Sequence, residues 1–146
     1  MIQGGKINWR GKEFTAWLEN HAKPRVQQAA DLVVEEARRL ILAPKSGRHR
    51  RYKGRSVRSS APGEALGSPS GRLPKSIQSE VGRIPKGFGA RVGIGPPMRS
   101  AWAEGMRDMM LGKRQGMKGQ RPTLRPALER VWPKIVKLLS HIPKAQ

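Results

Sequence analysis

Between residues 12 and 42 the apolar positions recur at three- and four-residue steps. Val26, Ala30, Val33, Ala37 and Leu40 share one stripe, and Glu35, Glu36, Arg38 and Arg39 fall largely off it. This spacing predicts a long helix, interrupted near Pro24 by a kink or restarted there with Pro in its first turn. "AP" at 43–44 ends it. Leu128, Val131, Trp132, Ile135, Leu138 and Leu139 give a second helical stripe from Pro126 to about residue 139, with Pro133 set to bend the helix or delay its start. On these patterns Leu128, Val131, Trp132 and Ile135 pack against Val26, Ala30, Val33 and Ala37.

Between the helices the period changes. "SIQSEVGRI" (76–84) and "FGARVGIG" (88–95) read as two strands, the second with Phe88, Ala90, Val92 and Ile94 on one face. "PKG" joins them as a hairpin. "INWR" (7–10) reads as a short strand, and "SAWAEG" (100–105) as a short helix or edge segment. Residues 44–72 show no period and are punctuated by Gly and Pro, which reads as a long irregular loop. Residues 106–121 form a second irregular, basic piece. Its Met106, Met109 and Met110 suit either a half-turn of core or an adaptable protein-contact surface. The order predicts a single α+β domain over residues 1–146. It has a small, mainly antiparallel sheet, a long N-terminal and a C-terminal helix packed on one face, and two long irregular basic loops.

Charge sharpens this picture. The 146 residues carry a net charge of +20, with no Cys and only 5% aromatic residues. Residues 1–43 hold seven bases and five acids, residues 44–75 nine bases and one acid, and residues 76–146 fourteen bases and four acids. A charge this large repels itself in the compact state and points to a polyanionic or acidic partner. The missing Cys excludes disulfides, thiolate metal sites and a Cys nucleophile. No apolar run is long enough to span a membrane and no signal peptide opens the chain, so the reading is a soluble protein, intracellular where it is made.

No catalytic set emerges. His21, His49 and His141 are far apart and lack ligand spacing. Glu35 and Glu36 are adjacent, point about 100° apart on a helix and cannot share a site. Their simpler role is to balance Arg38 and Arg39. "GFGARVGIG" lies in a strand pattern, and "GKRQGMKG" lacks the spacing of a phosphate loop. The chain therefore reads as a non-enzyme with no cofactor and no metal.

Several segments occur in a telling order: "LAPKSGR", "YKGRSVRSSAPGEALGSPSGRLPKSI", "VGIGP", "SAWAEGM" and "RPTLRPALE". The set resembles the head–tail joining family of long-tailed bacteriophages, the tail-completion or neck proteins. Ser70-Gly71-Arg72-Leu73 with Ser76-Ile77, and Arg121-Pro122, Leu124 and Pro126-Ala127, match that family's pattern. Trp102-Ala103, Glu104-Gly105, Met106 and Thr123 depart from it. The resemblance implies a virion structural protein, made in the host cytoplasm, that forms a ring, typically a hexamer. Such a ring meets adjoining connector and tail-tube proteins and surrounds double-stranded DNA. Two roles follow for the basic residues. Arg48, Arg50, Arg51, Lys53 and Arg55 are expected to contact DNA in the channel. Ser70, Gly71, Leu73, Lys113, Arg114 and Lys118 are expected to contact neighbouring subunits or rings. In this reading the stretch 59–77 is an inter-subunit connector with no core of its own. The alternative is a basic protein that binds nucleic acid non-specifically through phosphates, although no helix-turn-helix, zinc or RNP pattern supports it.

Overall fold

A computed structural model describes residues 11–84, 87–95, 106, 109–110, 119 and 122–144. The first helix, α1 (Gly11–Trp17), runs into a π-helical turn (Leu18–Ala22) and then α2 (Lys23–Leu42). Pro24 accounts for the change of winding. It lies in the first turn of α2, lacks an amide proton, and its ring crowds the carbonyl four residues back. A wider turn immediately before it relieves that crowding. The predicted strand at 7–10 and the segment at 100–105 lie outside the described residues.

Residues 77–94 form the expected hairpin, β3 (Ile77–Ile84) with β4 (Gly87–Ile94), antiparallel and in register Ile77↔Ile94 through Ile84↔Gly87. It is preceded by a single helical turn, α3 (Arg72–Ser76). The C-terminal helix α4 (Leu124–Ser140) begins two residues before Pro126. Pro133 neither delays nor ends it, and it lies on the exposed side of the helix. The sheet and α4 both pack on α2, so α2 is the centre of the molecule.

The core gathers Ala29, Val33, Val34, Ala37 and Ile41 of α2 with Leu66, Leu73, Ile77, Ala127, Val131 and Ile135. Ala37 and Ala127 are both fully buried, and such small residues let two helices approach closely. Met106, Met109 and Met110 are partly buried and packed against this core. Arg38 ties the α3–β3 junction to α2: its Nε donates to the Pro74 carbonyl and a terminal nitrogen donates to the Ile77 carbonyl, each at 2.9 Å. Glu36 accepts from Arg39 at 2.6 Å and from Arg130 of α4 at 3.4 Å. The Arg39 guanidinium holds its carboxyl below the usual carboxylate value.

Two sequence expectations are corrected. Trp132 is 53% exposed and Leu128 40% exposed, while Val131 and Ile135 are buried. The α4 stripe is wider than the groove that α2 offers, so only the row Ala127–Val131–Ile135 sinks in. The next row, Leu128–Trp132–Val136, stays outside. Second, residues 44–72 are not one irregular loop. They contain a hairpin, β1 (His49–Tyr52) with β2 (Arg55–Arg58), and the remainder contributes Ala65 and Leu66 to the interior. The stretch 59–77 is therefore no free connector.

Candidate functional site

The β1–β2 hairpin has no apolar face to announce it. Its strands read "HRRY" and "RSVR", and five of the eight residues are basic or His. The turn makes it. Lys53 and Gly54 both have positive φ, 47° and 78°, which is the type I′ geometry whose twist matches that of paired strands. Gly at the second position removes the steric cost there.

A two-stranded ribbon alone is marginal in water, so its base matters. The ladder continues past the strands: the Gly47 amide donates to the Ser59 carbonyl at 2.9 Å, and the Ser59 amide to the Arg48 carbonyl at 3.0 Å. A side chain on Gly47 would meet the Ser59 carbonyl oxygen at 2.3 Å, so only Gly fits this crossing. Glu64 then brackets the two ends. Its carboxylate accepts from the Ser46 hydroxyl at 2.5 Å, the Ser46 amide at 3.1 Å and the Ala61 amide at 2.8 Å. These donors, led by the Ser46 hydroxyl, pull the Glu64 pKa down from 4.5 to about 2. Glu64 is the one acid among the nine bases of residues 44–75. It is spent on structure and does not neutralise the arm. Lys45 is turned inward, donating to the Leu40 carbonyl at 2.7 Å, and burial pushes its ammonium pKa down.

The arm gathers the five residues expected at DNA. Arg48, Arg50, Arg51, Lys53 and Arg55 are all exposed on or beside it. They do not share one face. The register pairs Arg50 with Val57, Arg51 with Ser56 and Tyr52 with Arg55. Alternation therefore puts Arg50, Tyr52, Arg55 and Val57 on one side, and His49, Arg51, Ser56 and Arg58 on the other. The first side overhangs a cleft of about 490 Å³, closed opposite by Pro69, Ser70 and Arg72.

Of the residues expected to touch neighbours, Ser70 is exposed and accepts from the Arg72 amide. Gly71 takes a positive φ of 68° ahead of α3, which explains a glycine there. Leu73 is 3% exposed and belongs to the core, so it cannot be a contact residue. Its amide donates to Ser68 Oγ. Lys113, Arg114 and Lys118 lie outside the described residues. Glu64 and Arg72 are not among the site residues the sequence offers, although Glu64 has a signal as the lone acid in a basic run and Arg72 lies within the Ser70–Leu73 motif.

A second surface lies away from the arm. An apolar groove of about 470 Å³ runs over α2, between β4 and α4, with Val26 and Ala30 in its floor and Phe88, Leu128 and Trp132 in its walls. Among the described residues, no group of three His, Cys, Asp or Glu is placed to hold a metal, and no helix is long and apolar enough to cross a membrane. His49 Nδ1 lies 3.2 Å from Ser56 Oγ, and His141 Nδ1 lies 2.6 Å from the Lys137 carbonyl. No family model, no curated protein and no solved structure matches this chain.

Proposed function

We propose that this chain is a structural subunit of a homo-oligomeric ring, in the manner of the head–tail joining proteins of long-tailed bacteriophages. Its copies meet through the apolar face of α4, and the basic arm is directed at the DNA that threads the ring. The observation that carries this is the uncovered row Leu128–Trp132–Val136, 40, 53 and 49% exposed, on a chain whose net charge of +20 works against association. A contiguous apolar face of this kind marks a protein contact. A polyanion shared among the copies offsets their mutual repulsion.

The residues that carry the resemblance support the same reading. Ser76, Ile77 and Ala127 are all essentially buried, and Ile77 and Ala127 belong to one hydrophobic cluster. The two quoted motifs, distant in sequence, thus meet in one core. They hold the fold, which leaves the exposed surface for contacts.

Negative-stain imaging of the purified protein, alone and with tail tubes, tests the proposal. Rings are expected, and Trp132→Glu with Leu128→Glu should abolish them while helical circular dichroism is retained. A monomer under all these conditions that still binds DNA would leave the second reading, a non-specific nucleic-acid-binding protein.

A further inference from the structure

We infer that copies of this chain join head to tail: the aromatic pair Phe14–Trp17 on α1 of one copy seats in the apolar groove between β4 and α4 of the next. The inference deepens the ring reading above and rests on it for copies being in contact at all. It adds which two surfaces meet.

Symmetry sets the first requirement. A contact between the same α4 faces of two copies is self-complementary and stops at a dimer, whereas a ring needs two different patches. Among the described residues, the large apolar side chains left exposed outside α4 are Phe14 and Leu42. Phe14 is 49% exposed and stacks on Trp17, with ring centroids 5.8 Å apart. No residue of α1 is buried, and the helix packs chiefly on the π-helical turn that follows it. An aromatic pair stacked on a helix that the core does not use is a ready anchor for an apolar pocket. The groove of about 470 Å³, with Val26 and Ala30 in its floor and Phe88, Leu128 and Trp132 in its walls, is large enough for both rings.

Charge and reach then select the pairing. Residues 11–22 hold Lys12 against Glu13 and Glu19, net −1, while α4 holds Arg125, Arg130, Lys134 and Lys137 against Glu129, net +3. Docking α1 on a neighbour's α4 joins opposite charge, and docking α4 on α4 joins like charge. Leu42 sits beside Arg50 and Arg58, so it would bring more positive charge to a basic helix. Nor can α1 fill the groove of its own chain. Helical winding runs unbroken from Gly11 to Leu42, so Phe14 lies about 18 Å along the axis from Val26. Arg130 reaches Glu36, which sets the first half of α4 level with the later turns of α2, farther still from Phe14.

The chain has no Cys, so disulfide trapping tests the pairing without background. Under mild oxidation at moderate salt, which screens the copies' like charge, Phe14→Cys/Leu128→Cys should give a ladder of covalent oligomers on non-reducing gels. Each single variant should stay monomeric there. A covalent dimer from Leu128→Cys alone means that α4 faces α4, and the inference is then wrong. Mixing guards against variants that merely misfold. Phe14→Ser keeps its groove and Leu128→Ser/Trp132→Ser keeps its aromatic pair. Each should be monomeric by light scattering, and an equimolar mixture should form a one-to-one dimer and nothing larger. If Phe14→Ser assembles as the wild type does, or the mixture stays monomeric while the wild type assembles, the inference fails and the ring reading survives. Open filaments that depend on Phe14, with no closed ring on imaging, sink the ring reading and leave the contact standing. A wild-type chain that stays monomeric and a double-Cys variant that gives no ladder overturn both.

Discussion

The two hairpins are built from the same hydrogen-bond ladder and stand on opposite terms with the core. β3–β4 lays Ile77, Val92 and Ile94 against α2 and is held by burial. β1–β2 is a polar ribbon, held by a type I′ turn at one end and by Glu64 at the other. In the first, side chains choose the conformation and the turn is secondary. In the second, a two-residue turn and one carboxylate do the choosing, and the side chains are left for other uses. Stability thus rests on one hairpin, and the proposed DNA contact on the other.

The difference is sharpest at matched truncations. Ile77→Ala removes a fully buried side chain of β3 and should cost about 2–5 kcal/mol by denaturant unfolding. Val57→Ala, in β2, should cost well under about 1 kcal/mol, and equal costs would show the arm to be part of the core. Next in size is Arg38→Ala. It strips two charge-assisted hydrogen bonds from the α3–β3 junction and should destabilise the whole domain by about 1.5–3 kcal/mol. Its readout is global, a lower midpoint with an unchanged slope.

Glu64 gives a smaller effect confined to the arm. Its folded-state pKa is depressed, so its contribution is complete above about pH 4.5 and is lost as the pH falls toward 2. Amide exchange in residues 47–59 should quicken over that window, while β3–β4 keeps its protection. Glu64→Ala should show the fast exchange already at pH 7. Smallest of all, Lys53→Asn places a residue suited to positive φ in the first turn position and should steady the arm by a few tenths of a kcal/mol. Slower exchange at Tyr52 and Arg55 alone is the expected sign.

Legibility in the sequence followed the same divide. The long helix, the 77–94 hairpin and the C-terminal helix announced themselves because each buries one face, and burial writes a period into the residues. The arm buries nothing comparable, so "HRRYKGRSVR" carries no alternation. Its only signal is Lys-Gly between two four-residue runs, weaker than the Asn-Gly or Asp-Gly that usually marks such a turn. Trp132 was misplaced for a related reason. A helical stripe gives the angle of a residue but not the width of the partner it meets, and α2 is narrow where its alanines lie. Leu73 was read as a contact because it sits in a quoted motif. Motif membership does not distinguish a residue that holds the fold from one that faces outward. The basic set was found by charge alone, and charge could not tell the cleft side of the arm from the outer side, which only the strand register decides.

The hairpin base has a further consequence for how such a chain changes over time. Because Gly47, Ser59 and Glu64 close the arm below its first rung, adding or removing one residue pair shifts its tip by about 3.4 Å and leaves every core contact in place. The arm is therefore a length-adjustable spacer on a fixed mount. Its reach and its side chains are open to variation, and the mount beneath it is not.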